Sequence, residues 1–260
     1  MITTGNQSPE QFMKAFLFTN RMKGRIRNML RASRLIALAV LSLMALTNSG
    51  NGEAAKFNYK LDEKKLLSGE IQVFEEEYKV EGKGIKKRVV GVMILKAPLD
   101  KVWQVLEDWD AMGKFVPGLE YNKTIYVFEP PGSKDKIGNS LIEGQLKVLY
   151  LSINYTLNVK FDNVNYRQEW NFVTDEQVEI YNKKNIHVKK ATRGLKSIEG
   201  FEYVEPYGDG SSTIYYYAPI VETSIPLPEF LEQALSRSTL RGYMEGIRQM
   251  VNSYGNEKSQ

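Results

Sequence analysis

The residues that could do acid–base chemistry are few and scattered. The single histidine, His187, lies in a basic, polar stretch, so we expect it on the surface and not as a general base. Carboxylates cluster in residues 75–77 and again at Glu107, Asp108 and Asp110. The first cluster fits an exposed strand and the second fits a helix end, so we expect neither to do paired acid–base work.

The sequence offers few residues that could bind a metal or a cofactor. The sequence contains no cysteine, which excludes disulfides, thiolate metal sites and a cysteine nucleophile. With only one histidine as well, the common zinc and transition-metal clusters cannot be assembled. The glycine pairs Gly82/Gly84 and Gly208/Gly210 lack the third glycine of a dinucleotide-binding loop and predict turns. We therefore expect no cofactor, no metal and no catalytic residue.

The sequence is unusually rich in aromatic side chains, with 3 Trp, 15 Tyr and 11 Phe. Residues 149–162 alternate between apolar and polar types, which is typical of a strand with one buried face. The same patterning predicts that several large aromatics point inward: Tyr155, Tyr166, Trp170, Tyr217 and Tyr243. Because buried tyrosine hydroxyls need partners, this set favours a cavity over a dry core.

The elements that must position these residues follow a simple order. A hairpin (70–80 and 86–96) precedes two short helices, the first of which carries Leu99, Val102, Trp103 and Leu106 on one face. Further strands are expected at 119–128, 139–148, 150–162, 166–172, 196–205 and 212–221. A helix over 229–254 closes the chain.

Two stretches leave questions open. Residues 174–193 are rich in Lys and Arg, and we interpret them as a solvated edge of the sheet. The last helix carries Ala234, Ser238, Gly242 and Gly246 at a spacing of four. Each interior glycine costs about 1 kcal/mol relative to alanine, so this small-residue stripe indicates either close packing or room for a ligand.

The N-terminus predicts export. A basic stretch ending at Arg34 precedes an apolar run over 35–46, which is too short for a membrane span and fits a signal peptide. We expect cleavage near Ala54 or Ala55, with Met22 as an alternative start. Seven of the 35 basic and two of the 31 acidic residues lie in 1–55, leaving 28 basic and 29 acidic residues in the rest. This near-neutral body excludes bulk electrostatic binding of nucleic acid.

Several fragments around the two short helices resemble the start of the START-like (SRPBCC) superfamily, which includes the polyketide cyclase/dehydrase and lipid-transport family and the coenzyme Q-binding START-like proteins. The fragments are Lys96-Ala97-Pro98-Leu99-Asp100-Lys101-Val102-Trp103, Val105-Leu106, Asp108-Trp109 and Lys114-Phe115-Val116-Pro117-Gly118. The resemblance implies an α+β helix-grip fold, in which a curved antiparallel sheet grips the C-terminal helix around an apolar cavity. A β-sandwich is the alternative, which the long terminal helix disfavours.

The resulting domain prediction has five parts: an extension (1–21), a signal peptide (22–55), a leader (56–65), a START-like domain (66–254) and a tail (255–260). The leading functional hypothesis is an exported, non-enzymatic carrier or sensor of a hydrophobic molecule such as a lipid, a quinone or a polyketide-like compound. Transient contact with a membrane surface is compatible with this role. The expected ligand-binding residues are Phe115, Leu151, Ile153, Tyr155, Leu157, Trp170, Tyr217, Leu235, Tyr243 and Ile247.

Two rival hypotheses remain open. The first is a cyclase, dehydratase or hydrolase that uses Glu143, Arg167 or Tyr217 inside the same cavity. The second is an envelope interaction protein with a solid core, which contacts acidic partners or lipid headgroups through the basic residues of 183–193. A buried pair of an acid with a tyrosine or arginine would favour the enzyme.

Overall fold

The structure is a computed structural model that describes residues 59–80, 84–129, 137–148, 151–192, 195–223 and 229–254. These residues belong to one structural unit, Asn58–Gln260. The predicted signal segment and the alternative start at Met22 lie outside the described residues. Within the described part, no helix is both long enough and apolar enough to cross a membrane.

Helices and strands follow the predicted order. The helices are α1 (Glu63–Leu67), α2 (Leu99–Glu107), a 3-10 helix (Trp109–Lys114), α3 (Asp175–Lys183) and α4 (Glu229–Ser253). The strands are β1 (Gln72–Val80), β2 (Gly84–Leu95), β3 (Leu119–Glu129), β4 (Ile137–Val148), β5 (Leu151–Asp162), β6 (Arg167–Phe172), β7 (Leu195–Tyr207) and β8 (Ser212–Thr223). All eight strands were predicted, whereas α1 was not: it begins in the predicted leader (56–65) and ends two residues beyond it.

The eight strands form one antiparallel sheet in the order β1-β2-β8-β7-β6-β5-β4-β3. A single sheet excludes the β-sandwich. Helix α4 lies against one face, which we call the inner face, and a Cβ at Gly91 would lie 2.2 Å from the Met244 sulfur. The main core forms there, where Leu240, Met244 and Ile247 of α4 meet strand residues that include Met93, Tyr155, Leu157, Val159, Trp170, Val204 and Tyr215. We call the opposite side of the sheet the outer face.

The two short helices pack as the sequence predicts. Val102, Trp103 and Leu106 are buried, and Leu99 is partly buried, so the predicted apolar face of α2 is the one that packs. The Asp108 side chain accepts a hydrogen bond from the Ala111 N–H at 3.1 Å and caps the 3-10 helix. The break between the two helices thus has a local cause.

The interpretation of residues 174–193 as a sheet edge is wrong. The edge strands are β1 and β3, and part of this segment forms helix α3. A capping box between Thr174 and Gln177 starts the helix, since each side chain bonds the backbone of the other. Val178 then packs with Leu141, Val173, Ile186 and Val188 in a small separate core.

Candidate ligand-binding site

The predicted ligand-binding residues largely come together between the inner face and α4. Seven belong to or pack against the main core cluster: Phe115, Tyr155, Leu157, Trp170, Tyr217, Tyr243 and Ile247. Ile153 lies on β5, two residues from Tyr155 and therefore on the same face. The side chains of Leu151 and Leu235 lie outside the described residues. Leu157 and Ile247 are 3% and 0% exposed, so they build the core and offer a ligand little surface.

An aromatic stack runs through this interior. The rings of Tyr217 on β8 and Tyr243 on α4 stack with centroids 4.2 Å apart and planes 13° apart. Trp170 lies on the other side of Tyr217, with centroids 5.9 Å apart. Trp109 of the 3-10 helix meets Trp170 edge to face at the same 5.9 Å. The stack therefore connects the terminal helix, the sheet and the short helices.

Tyr217 and Tyr243 are desolvated but not completely buried. Burial raises the pKa of both hydroxyls well above the usual value, because the surrounding protein disfavours the phenolate. Both side chains nevertheless keep part of their surface accessible. These two tyrosines therefore present accessible aromatic surface between the sheet and α4.

The Tyr217 hydroxyl differs from its neighbours in having no hydrogen-bond partner among the described residues. Its oxygen also keeps some accessible surface, unlike the fully enclosed hydroxyl of Tyr78. By contrast, the Tyr155 hydroxyl donates to Asn122 Oδ1 at 2.8 Å. Because a hydroxyl in an apolar interior normally has a partner, the Tyr217 hydroxyl is the group that a bound molecule can use.

A buried carboxylate, Glu202, lies at the centre of the polar contacts. It is 0% exposed and accepts hydrogen bonds from the Tyr215 hydroxyl at 2.6 Å and from Gln168 Nε2. The nearby Tyr243 hydroxyl donates to the Met112 sulfur at 3.5 Å. Burial raises the pKa of Glu202 to about 7, against the opposing effect of the surrounding Tyr215, Tyr243 and Gln168 side chains. Gln168 in turn accepts from Trp109 Nε1 at 3.1 Å, so the carboxylate is linked to the 3-10 helix.

Sequence reasoning missed Glu202, although a signal was present. On β7, Ile198, Gly200 and Val204 are spaced by even numbers from Glu202, and this small or apolar set marks the inner face. An acid on that face must be buried and needs partners. The strand was predicted, but its alternation was not followed to this position.

The residues proposed for an enzyme do not assemble. Glu143 lies on the outer face, where it accepts from Lys189 Nζ at 2.8 Å and from the Tyr121 hydroxyl at 3.0 Å. Arg167 also lies on the outer face and pairs with Glu169 at 2.7 Å. Of the three, only Tyr217 lies in the interior. Successive residues of a strand point to opposite faces of the sheet, and the strand register places Tyr217 on the inner face and the other two on the outer face.

The basic residues proposed for partner binding are partly engaged within the protein. Lys189 pairs with Glu143, and Lys190 lies 3.6 Å from Glu179. His187 is exposed, as predicted.

The small-residue stripe of α4 has two different environments. A Cβ at Gly246 would lie 2.8 Å from the Phe115 carbonyl oxygen and 2.9 Å from the Val116 Cα, so this glycine allows the helix to touch the backbone after the 3-10 helix. A Cβ at Gly242 would meet only the Pro117 side chain, at 4.0 Å. Along α4, the closely packed Gly246 and the loosely packed Gly242 thus lie one helical turn apart, and both face residues 115–117.

No protein-family model matches the sequence, and no curated protein matches it either. Solved structures do match. A START superfamily protein from Mycobacterium smegmatis superposes with a TM-score of 0.50 at 12% identity, covering 64% of this chain and 98% of that one. A STAR-related lipid transfer protein from Xanthomonas axonopodis gives 0.49 at 16% identity, covering 70% and 93%. A protein from Thermus thermophilus gives 0.49 at 14% identity, covering 64% and 98%. The first of these confirms the predicted α+β helix-grip fold.

Proposed function

We propose that this chain, which has the START-like helix-grip fold, binds a hydrophobic small molecule between the inner face of the sheet and α4. The observation that carries the proposal is the accessible surface of Tyr217 and Tyr243 in a strongly desolvated interior. Apolar and aromatic walls with a few polar groups are the usual lining of a small-molecule site.

The lining also suggests what the ligand looks like. The Tyr215 hydroxyl donates to Glu202 and the Tyr243 hydroxyl to the Met112 sulfur, whereas the Tyr217 hydroxyl has no hydrogen-bond partner among the described residues. A ligand with an apolar body and one acceptor oxygen, such as the carbonyl of a quinone, a lipid ester or a polyketide, would occupy both features. The hydrogen bond fixes the orientation of the ligand, and the apolar body provides most of the affinity.

The energetics suit a carrier. Burying a twelve-carbon chain contributes about 10 kcal/mol at about 0.8 kcal/mol per CH₂. Association costs about 4–15 kcal/mol in lost freedom, so a modest affinity remains. A protein that must release its ligand does not need a higher affinity.

Access would require movement at residues 115–118. Phe115 is only partly buried, whereas Gly118, with φ +80°, is held to β4 because its carbonyl accepts from the Lys147 N–H at 2.6 Å. We place the moving part before Gly118. A second hinge would be the segment with Pro226 and Pro228 before α4, which lies outside the described residues.

The direct test is native mass spectrometry of the purified full chain, followed by solvent extraction and identification of any bound molecule. We expect an apolar molecule with at least one carbonyl or hydroxyl oxygen. Protein that is repeatedly free of ligand and does not take up lipids or quinones added to it would contradict the proposal.

We also propose that the protein is exported, on the basis of the basic stretch and the apolar run of residues 35–46. Fractionation of the producing cells with N-terminal sequencing tests this directly. We expect the exported form to begin at Ala55 or Lys56. A cytoplasmic protein that retains the apolar run would contradict export.

A second candidate is a cyclase or dehydratase, which one observation favours. Glu202 has a pKa raised to about 7 and lies beside three tyrosines in the interior, and such perturbed acids are frequent at catalytic sites. The molecule extracted from the protein should then lose water, or be otherwise converted, on incubation with wild type and remain unchanged with Glu202→Gln. Recovery of the same molecule from both proteins would exclude this candidate.

A further inference from the structure

The outer face of the sheet carries a cavity, which lies beneath the end of the β1–β2 hairpin. Strand β2 pairs with β8 only from Gly91 to Leu95, whereas its first half pairs with β1 alone. We call this unpaired end of the hairpin the arm. Arg88 of the arm reaches across the outer face to Phe201 on β7, and Lys86 forms an ion pair with Glu222 on β8.

The space between the arm and the sheet measures about 450 Å³. Tyr78, Lys79 and Arg88 of the arm form one wall. Residues of β5, β6 and β7, among them Lys160, Arg167 and Phe201, form the other. Cavities of this size hold small organic molecules.

Two arginines meet over one aromatic ring in this cavity. The guanidinium carbon of Arg88 lies 4.7 Å from the centre of the Phe201 ring, and that of Arg167 lies 4.1 Å from it. Each guanidinium uses its Nε to bond a carboxylate, Glu76 and Glu169 respectively, both at 2.7 Å. Neither terminal amino group of Arg88 or Arg167 donates to any residue that the structure describes, so two forks of N–H donors remain available.

The charges around the cavity favour an anion. Four cations line it, Lys79, Arg88, Lys160 and Arg167, against the two carboxylates of Glu169 and Glu199, and Glu76 pairs with Arg88 beside it. Two guanidinium groups held at the same ring repel each other, and a negative group between them relieves that repulsion. Arginine forks match the two oxygens of a carboxylate. The Phe201 ring is only 2% exposed, so the apolar surface offered to a ligand comes from Tyr78 and Ile220.

We propose that this cavity is a second ligand site, separate from the interior, that takes a small aromatic carboxylate. The two arginines bind the carboxylate, and the apolar body lies against Tyr78 and Ile220. Most of the lining side chains belong to the side of the sheet opposite α4, and Trp170 is a residue that this cavity shares with the interior.

The test is calorimetric titration of the full chain with 2-naphthoate, with its neutral amide, 2-naphthamide, and inorganic phosphate as comparison ligands. We expect saturable binding of 2-naphthoate that weakens with added salt, with little binding of the amide or of phosphate. Arg167→Gln should weaken binding about tenfold, since it removes charge-assisted hydrogen bonds. Arg241→Gln, an exposed position on α4, is the matched control and should change nothing.

A second variant guards against misfolding of the first. Glu169 is largely exposed and its carboxylate pairs with the Arg167 guanidinium at 2.7 Å, so Glu169→Gln should fold and, by removing the competing charge, should strengthen 2-naphthoate binding. Equal binding of the amide, unchanged affinity in both variants, or affinity that falls with Tyr217→Phe instead would overturn the proposal.

Discussion

The two interior glycines of α4 give the sharpest prediction about how the helix meets the short helices. At Gly246 a new Cβ would lie 2.8 Å and 2.9 Å from backbone atoms of Phe115 and Val116, and backbone cannot rotate out of the way. Overpacking of this kind costs about 1–3 kcal/mol, of which the better helix propensity of alanine recovers about 1 kcal/mol. At Gly242 the nearest atom is at 4.0 Å, so only the propensity gain applies.

Gly246→Ala should therefore be less stable than wild type by up to about 2 kcal/mol, and Gly242→Ala more stable by up to about 1 kcal/mol. In thermal unfolding each kcal/mol corresponds to about 2–4 °C for a chain of this size. Urea denaturation monitored by tryptophan fluorescence measures both variants under the same conditions. If Gly246→Ala were as stable as Gly242→Ala, the close approach of α4 to residues 115–116 would be refuted.

Three further predictions concern Glu202, α3 and Trp109. The pKa of Glu202 is raised from 4.5 to about 7 in the folded protein, so the folded state binds the Glu202 proton more tightly than the unfolded state does. This tighter binding stabilises the folded protein at low pH, and the stabilisation is lost as pH rises from about 4.5 to 7. Relative to Glu202→Gln, wild type should thus lose about 3 kcal/mol in urea unfolding between pH 5 and 8, and a pH-independent difference would contradict the buried carboxyl. Thr174→Ala should cost about 1 kcal/mol and lower hydrogen-exchange protection in α3, which unchanged exchange would contradict. Trp109→Phe should cost about 1–3 kcal/mol by leaving Gln168 Oε1 unpaired, whereas equal stability in urea would show that the bond contributes nothing.

The fold was predictable because the patterns that encode it are local. The alternation along β5 and the helical spacing of Leu99, Val102, Trp103 and Leu106 each determine which face is buried without knowledge of the rest of the chain. The small-residue stripe on α4 was also visible, but only the structure separates the packed Gly246 from the open Gly242. That difference depends on where the 3-10 helix ends in space.

The site was predicted less well, because its polar members depend on strand register. In β4, both Leu141 and Ile142 are apolar, so the sequence does not reveal which side Glu143 faces; its pairing with Thr156 places it on the outer face. Glu202 faces inward opposite Tyr217 and Gln168. The helix in 174–193 was not predicted, because the lysines of this segment suggested an exposed sheet edge and the capping box at Thr174 and Gln177 was not recognised as a helix start.

The central claim is that the interior binds an apolar molecule through the Tyr217 hydroxyl, and titration with Nile red tests it most directly. Nile red is neutral, so it does not suit the arginine-lined outer cavity, and its emission reports both an apolar environment and a hydrogen bond to its carbonyl. We expect saturable, blue-shifted emission, with binding about fivefold weaker and a further blue shift in Tyr217→Phe, and no change in Arg167→Gln. The absence of saturable binding, or identical affinity and emission in wild type and Tyr217→Phe, would contradict the claim.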